Sequence, residues 1–235
     1  MIKDKIIKRS PLRILEKSIR GGLGRGNVAV LASRKGVGKT ACLVHIATDK
    51  LFQDKPVIHV SYSSRVDYII NWYEDIIKEI AKSRKVKAAA DIQESIIKNR
   101  VIMNFKQDAA RTEQVLRSVE ALIVHGKFAA DTIIIDGYDF ARTLPDDLSK
   151  FKDFAGRLGI EIWFSASLRG EEPIFDEQGV PFLLRHFLGA IDVLITLVSH
   201  GDHVHLRLVK DHDHLAPKEL GLKLDATTLL IAKER

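Results

Sequence analysis

Short, almost wholly apolar runs recur along this chain, and patterns typical of helices separate them. Runs of this length and composition are typical of strands that are covered on both faces. Strands that alternate with helices build βαβ units, so we expect an α/β fold with a mostly parallel central sheet and helices on both faces. The runs are Asn27–Ala32, Val57–Val60, Thr132–Ile135, Ile160–Phe164 and Ile191–Leu197.

Helical patterns fill the segments between these runs. Apolar residues recur at steps of three and four over residues 66–80 and 115–123, as they do on one face of an amphipathic helix. Lys39–Lys50 is also expected to be helical. The tail differs, because Val204–Val209 alternates between apolar and polar residues and Glu219–Leu224 is another extended segment. These two segments predict two or three antiparallel C-terminal strands at the edge of the sheet.

The N-terminal segment differs from the rest of the chain. Residues 1–9 are expected to be a loose basic arm, and Ser10-Pro11 predicts the start of a short helix that ends near Arg20. A glycine-rich turn follows, and no repeat or long linker divides the remaining sequence. We therefore expect residues 1–20 to be an arm with a short helix and residues 21–235 to be one domain.

Composition excludes several classes of protein. With 46 % hydrophobic and 29 % charged residues, the chain is not a disordered one. No apolar run reaches the ~18 residues of a transmembrane helix, and the N-terminus lacks the apolar stretch of a secretory signal. The single cysteine, Cys42, cannot form an internal disulfide. We expect a cytoplasmic protein with no membrane partner.

Basic residues are concentrated near the N-terminus. The net charge is +6, but residues 1–40 hold eleven basic and two acidic side chains, a local charge of +9. One interpretation is a surface that binds nucleic acid, because nearby charges set the local potential. The other is a solvated arm followed by a loop that binds phosphate. The composition leaves both interpretations open.

The segment between the first apolar run and the first long helix carries the most specific motif. Ser33–Thr40 (SRKGVGKT) matches the phosphate-loop pattern G-x-x-x-x-G-K-[ST], except that serine replaces the first glycine. Its glycines let backbone N–H groups point at phosphate oxygens at a helix N-terminus. Lys39 is expected to reach the β- and γ-phosphates of ATP, and Thr40 to bind Mg²⁺. The expected nucleotide contacts are Ser33, Arg34, Lys35, Gly36, Val37, Gly38, Lys39, Thr40 and Ala41.

A phosphate loop of this kind needs an acidic partner for the metal ion at the end of a neighbouring strand. Asp136 ends the apolar run Thr132–Ile135 and is the natural candidate. An aspartate in this position is also a common turn former. The phosphate loop about 100 residues upstream favours the role of Mg²⁺ ligand.

Together these residues resemble the RecA-like ATPase core of KaiC-type clock proteins and replicative DnaB-type helicases. Gly21–Asn27 (GGLGRGN), the strand after it and the phosphate loop follow that family's order, and weaker similarity extends over residues 12–230. The resemblance implies a RecA-like P-loop fold whose fourth strand lies between the phosphate-loop strand and the strand that ends at Asp136. It also implies Mg²⁺-dependent ATP hydrolysis by a homo-oligomer, commonly a ring with ATP between subunits.

The sequence departs from this family at three catalytic positions. The glutamate that polarises the attacking water is replaced by Ser63 or the neighbouring Tyr62. Related ATPases carry that glutamate directly after the metal-binding aspartate, where this chain has Gly137. The polar sensor after the fourth strand aligns with Ala166. Asp139 is a candidate catalytic replacement, although a turn-forming role is the alternative.

The C-terminal strands contain further candidates. Lys210 matches a lysine that the family presents to the ATP of the adjacent subunit, but His212 stands where the family has arginine. A metal site near the C-terminus is a weaker hypothesis, because the cluster has no cysteine and no i, i+4 pair. Its candidate ligands are His200, Asp202, His203, His205, Asp211, His212, Asp213 and His214.

Three functions are consistent with these residues. The first is an Mg-ATP-binding RecA/KaiC-like ATPase with slow or conditional hydrolysis, which acts as a nucleotide-gated switch or assembly module. The second is a DNA-binding motor or recombination accessory of the same fold, based on the basic arm and on Arg169 and Arg185. The third is a small-molecule kinase, for which the sequence shows no acceptor site.

Overall fold

The computed structural model describes residues 2–63, 65–83, 94, 96–106, 111–201 and 203–234. Within these residues, nine strands form one sheet in the order β3-β2-β4-β5-β1-β6-β7-β8-β9. The strands are β1 Val28–Arg34, β2 Val57–Ser61, β3 Arg100–Asn104, β4 Thr132–Asp136, β5 Glu161–Leu168, β6 Val193–His200, β7 His203–Asp211, β8 His214–Leu224 and β9 Ile231–Lys233.

The sheet has a parallel part and an antiparallel part. The first six strands in the spatial order, from β3 to β6, are parallel. β7, β8 and β9 extend the sheet as antiparallel strands. The expected α/β fold, with a mostly parallel sheet and antiparallel C-terminal strands, is confirmed. The carboxyl ends of β1, β5, β4 and β2 meet at one edge of the sheet, where ligand sites of such sheets form.

Helices cover both faces of the sheet, as expected. The alternating residues of β1 show this, because Ala29 and Leu31 pack in one core and Val28 and Val30 in the other. The first core lies under α2, α3 and α4, and the second under α5 and α6. The α-helices are α1 Ile2–Lys8, α2 Leu12–Ser18, α3 Lys39–Phe52, α4 Val66–Ser83, α5 Thr112–Val124 and α6 Pro145–Leu158, with 3₁₀ helices at Phe140–Arg142 and Phe182–Ala190.

The prediction of a loose arm at residues 1–9 is wrong. Residues 2–8 form α1, whose Ile6 is buried and whose Lys3 Nζ lies 2.6 Å from Asp54 Oδ1. The short helix after it begins at Leu12, with Ser10 Oγ accepting a hydrogen bond from the Leu12 N–H at 3.3 Å. The apolar residues of the segment explain the difference, because their burial against α3 stabilises a helix that charge alone would not.

Strand β3 has no counterpart among the predicted strands. It pairs with β2 at the edge of the sheet, and each of its five residues is only half-buried. An edge strand of this kind begins with Arg100 and ends with Asn104, so its apolar run is only three residues long. The signal on which sequence analysis depends, a continuous apolar run, is therefore weak here.

Much of the N-terminal positive charge is offset by acidic side chains from later in the chain. Arg13 pairs with Asp49 and with Glu16, the second at 2.7 Å. Arg20 lies 3.4 Å from Asp211. None of the helices in the described part of the chain is both long enough and apolar enough to cross a lipid bilayer.

Candidate functional site

An open cavity of about 1240 Å³ lies at the carboxyl edge of the parallel strands. The phosphate loop after β1 forms one wall, and the residues that follow β2, β4 and β5 form the floor. The end of β3 and the first turns of α4 close one end, and the β8–β9 turn closes the other. The cavity therefore occupies the place at which open α/β sheets bind ligands.

The phosphate loop has the backbone geometry that its motif predicts. Gly36 and Gly38 have φ values of 84° and 111°, in the left-handed region that favours glycine. α3 begins directly afterwards at Lys39, so the loop leads into a helix N-terminus. Backbone N–H groups in this arrangement attract anions. A methyl group on Gly38 would overlap the Leu224 side chain, which packs against the loop.

Lys39 is buried and held inside the loop. Its ammonium donates hydrogen bonds to the Ser33 carbonyl at 3.1 Å, to Ser33 Oγ at 3.2 Å and to the Arg34 carbonyl at 2.9 Å. Burial lowers the pKa of Lys39 to about 8, although Asp136 opposes this shift. The lysine is thus mostly charged at neutral pH and stands beside the loop that would receive a phosphate.

Asp136 and Thr40 lie together at the centre of the cavity. Thr40 Oγ1 donates to Asp136 Oδ2 at 2.8 Å, and Ser165 Oγ donates to Asp136 Oδ1 at 2.7 Å. The Gly137 N–H in turn donates to Ser165 Oγ at 2.8 Å. Both carboxylate oxygens are therefore fixed, and a hydroxyl and a carboxylate are the hard oxygen ligands that suit Mg²⁺.

The other predicted loop residues have different environments. Ser33 and Ala41 are buried, whereas Lys35 and Val37 line the cavity. The Arg34 side chain turns away from the cavity, and its guanidinium contacts Glu172 Oε1 at 2.9 Å and the Gly170 carbonyl at 3.0 Å. A contact between Arg34 and a nucleotide would therefore involve its backbone rather than its side chain.

The positions of the missing catalytic groups also lie in the cavity. Tyr62, Ser63 and Gly137 line it, and Asp136 is the only carboxylate among the described residues that do so. Ala166, which aligns with the family's sensor, is fully buried in the core. Its neighbours Ser165 and Ser167 face the cavity instead, because successive strand residues point to opposite faces.

Asp139 is not brought together with the phosphate loop. It lines a second cavity of about 300 Å³, which Tyr62 shares with the main one. Its Oδ1 accepts a hydrogen bond from the Ala141 N–H at 3.2 Å, so it caps the 3₁₀ helix Phe140–Arg142. This arrangement supports the turn-forming alternative for Asp139.

Lys210 and His212 lie at the opposite end of the sheet strands from the cavity. The Lys210 ammonium donates to the carbonyls of Ile191 and, at 2.8 Å, of Leu188. His212 contacts Asp211 Oδ1 at 2.8 Å and the Leu23 carbonyl at 3.1 Å. Both side chains thus bind their own chain, and His212 connects the β7–β8 turn to the glycine-rich turn before β1.

The C-terminal histidines do not form a metal centre in the described part of the chain. His205 Nδ1 lies 2.6 Å from Glu234 Oε1, and His203 Nε2 lies 3.4 Å from Lys223 Nζ. Among the described residues no group of three or more His, Cys, Asp or Glu side chains is arranged to hold a metal ion. Asp202, a further candidate ligand, lies outside the described residues.

The side chains at both ends of the cavity were not predicted from the sequence. Tyr68 and Trp72 project from α4 at one end, and Leu224 and Leu229 lie at the other. Tyr68 and Trp72 fall outside the apolar stripe of α4, where aromatic residues give no distinct signal. Leu224 is far from the loop in sequence, so only the folded sheet brings the two together.

Comparison with known proteins adds no identification. No protein-family model matches the sequence, and no curated protein matches it significantly. The residues of this cavity are therefore the main guide to the function of the protein.

Proposed function

We propose that this protein is an Mg-ATP-binding ATPase with slow or conditional hydrolysis, which acts as a nucleotide-gated switch or assembly module. The observation that carries the proposal is the arrangement of Lys39, Thr40 and Asp136 around a glycine-rich loop at a helix N-terminus. A buried ammonium, a hydroxyl and an oriented carboxylate are the groups that bind the phosphates and metal ion of a nucleoside triphosphate.

The residues that line the cavity favour one orientation of the nucleotide. The β8–β9 end is lined by Val204, Leu224, Ala226 and Leu229, an apolar wall suited to an adenine ring. The phosphates would lie on the loop, and the terminal phosphate would point toward Asp136. Thr40 and Asp136 would hold Mg²⁺, which supplies positive charge to the terminal phosphates when it is bound.

The order of strands supports a RecA-like core. β5 lies between β1, which carries the phosphate loop, and β4, which ends at Asp136. The resemblance of the sequence to KaiC-type and DnaB-type proteins implies this order. The antiparallel strands after β6 are likewise consistent with that resemblance.

Slow hydrolysis follows from what lines the cavity near the terminal phosphate. Ser63 and Gly137 stand at the two places where related ATPases carry a glutamate, and neither can polarise water as a carboxylate does. Both carboxylate oxygens of Asp136 already accept hydrogen bonds, from Thr40 and from Ser165. An ATPase of this kind holds its nucleotide for longer than a motor does.

The homo-oligomer is part of this proposal. Its basis is the resemblance to ring-forming proteins and a cavity in which the described residues provide no carboxylate besides Asp136 to activate water. For Lys210 to reach the ATP of a neighbouring subunit, it would have to leave the Leu188 and Ile191 carbonyls. Sedimentation with Mg-ATP tests the assembly, and a monomer of 26.4 kDa at high protein concentration would contradict it.

The DNA-binding alternative has weaker support. Arg185, one of its two predicted contacts, lies 3.1 Å from Asp176 and stacks over Phe182, while Arg169 is exposed. Most of the N-terminal arginines are also paired with carboxylates. Binding of single-stranded DNA at low salt, with a steep loss at high salt, would favour the alternative.

The deciding experiment is calorimetric titration of Mg-ADP and Mg-ATP into a Lys39→Ala variant. We expect the affinity to fall about 100-fold, because the loss of a charge-assisted contact costs about 3 kcal/mol. Lys78→Ala on the exposed face of α4 is the matched control and should bind like the wild type. Unchanged affinity in a folded Lys39→Ala protein would refute the proposed site.

A further inference from the structure

The cavity extends well beyond the reach of a nucleotide on the phosphate loop. β3 stands four strand spacings from β1, which is about 19 Å at about 4.8 Å per spacing. Ligand cavities in proteins typically hold about 300–1,000 Å³, and this one holds about 1240 Å³. The β3 end is therefore space for a second ligand.

Aromatic rings form one wall of this end. Tyr68 and Trp72 of α4 contact each other edge to face, with ring centroids 6.1 Å apart. Tyr68 is 46 % exposed, so its ring is accessible from the open cavity. Such rings bind flat ligands by stacking.

Two further residues that line the cavity carry polar atoms without partners in the described structure. Asn104 Nδ2 donates to the Ser63 carbonyl at 2.7 Å, but the buried Asn104 Oδ1 has no hydrogen-bond partner among the described residues. The buried Tyr62 hydroxyl likewise has none within the described part of the chain. Buried polar groups left unpaired are costly, so a ligand that pairs with them would gain affinity. Lys106 adds an exposed positive charge at the same end.

These groups together define the chemistry of the ligand. Asn104 Oδ1 is an acceptor and pairs with an N–H or O–H donor, the two aromatic rings favour a flat ring, and Lys106 favours an anion. We propose that the β3 end of the cavity is a binding site for a nucleoside monophosphate. The base stacks on Tyr68 and Trp72, and the phosphate lies near Lys106. The Asn104 side chain turns toward the base, so that its Oδ1, which the protein now occludes, accepts a hydrogen bond from it.

Trp72 provides the test, because the only other tryptophan, Trp163, is buried in the core. AMP, GMP, CMP and UMP are each titrated into the full chain at saturating Mg-ADP while tryptophan fluorescence is measured. At least one should give a saturable change that Trp72→Phe abolishes. Tyr68→Ala should weaken binding about tenfold, and Ile70→Ala, an exposed change on the same helix, should leave it unchanged.

A substitution of Lys106 tests the contribution of the phosphate separately from that of the base. Lys106→Ala should weaken binding of the monophosphate several-fold but leave binding of the matching nucleoside unchanged, and Lys78→Ala is the control. The fluorescence change should persist in Lys39→Ala protein without ADP, so failure of the phosphate-loop proposal is distinguishable from failure of this one. The proposal is overturned if none of the four monophosphates binds, if binding is insensitive to Tyr68→Ala, or if a single-stranded oligothymidylate binds Trp72 more tightly than every monomer.

Discussion

The two ends of the cavity differ in how their polar groups are satisfied. At the phosphate loop, Lys39, Thr40 and Asp136 all have partners within the chain. At the β3 end, Asn104 Oδ1 and the Tyr62 hydroxyl have none among the described residues. The groups at the first end are already held in place by hydrogen bonds, and a charged ligand would replace some of these internal partners. The second end retains polar groups that a ligand would satisfy.

The ends also differ in their acids and bases. The loop end has Asp136 and a lysine whose pKa burial lowers to about 8. Toward β3 the described lining residues are neutral or basic. On the proposed function, this distribution suits the binding of phosphate, whereas Asp136 is the only carboxylate among the described lining residues that could activate water. Four predictions test this difference, and they begin with the largest expected effect.

Turnover of ATP should be slow. A positioned base contributes roughly 10²–10⁴ in rate, so we expect turnover below the enzyme median of about 10 s⁻¹ by a similar factor. Ser63→Glu should raise the steady-state rate of phosphate release. Asp139→Asn should not change it, because Asp139 caps a turn outside the main cavity. Wild-type turnover near the median would contradict this description of the site.

Gly38→Ala should destabilise the protein more than Gly36→Ala does. Each imposes a strained φ that costs about 1–3 kcal/mol, but only the Gly38 substitution also overlaps Leu224. Urea denaturation measures the two free energies of unfolding. Leu224→Ala should relieve part of the Gly38→Ala penalty and none of the Gly36→Ala penalty. Equal costs for the two glycines would show that Leu224 does not cover the loop.

Nucleotide binding should weaken at high pH. Phosphate requires the charged form of Lys39, and the pKa of the free protein's ammonium is about 8. Its protonated fraction, and with it the affinity for Mg-ADP, should fall about tenfold between about pH 7 and about pH 9. Calorimetry across this range measures the slope. Lys39→Ala should bind weakly at every pH, without this dependence.

Arg34→Ala should have the smallest effect. The guanidinium forms a partly exposed ion pair with Glu172, and such pairs contribute about 0–1 kcal/mol to stability. Affinity for Mg-ADP should change less than about twofold, because the side chain points away from the cavity. A large loss would mean that Arg34 turns toward the phosphates when nucleotide binds.

The parts of the site that were predictable lie close together in sequence. The phosphate loop is eight consecutive residues whose glycines and lysine are specified by phosphate chemistry itself. Asp136 follows an apolar run, so its position at the end of a strand needed only a local pattern. The parallel strands were predictable for the same reason, with the exception of β3, whose apolar run is short. The positions of β7 and β8 were predicted from alternating or extended segments, and that of β9 was not predicted.

The parts that were missed depend on tertiary structure. Successive residues of β5 face the core and the cavity in turn, and the sequence alone did not show that Ser165, rather than Ala166, faces Asp136. Tyr68 and Trp72 look like solvent-facing helix residues until the end of β3 is placed beside them. α1 was not predicted because its many charged residues suggested an exposed segment, whereas Ile6 is buried.

The contact of Leu224 with the phosphate loop has a consequence for synthesis. The loop is synthesised well before the strand that covers it, since about 180 residues separate Gly38 from the start of β8. A nascent chain therefore holds an uncovered loop until β8 joins the sheet, which is a late step for pairings so distant in sequence. On the proposed function, any nucleotide bound before that step would meet a loop that Leu224 does not yet cover.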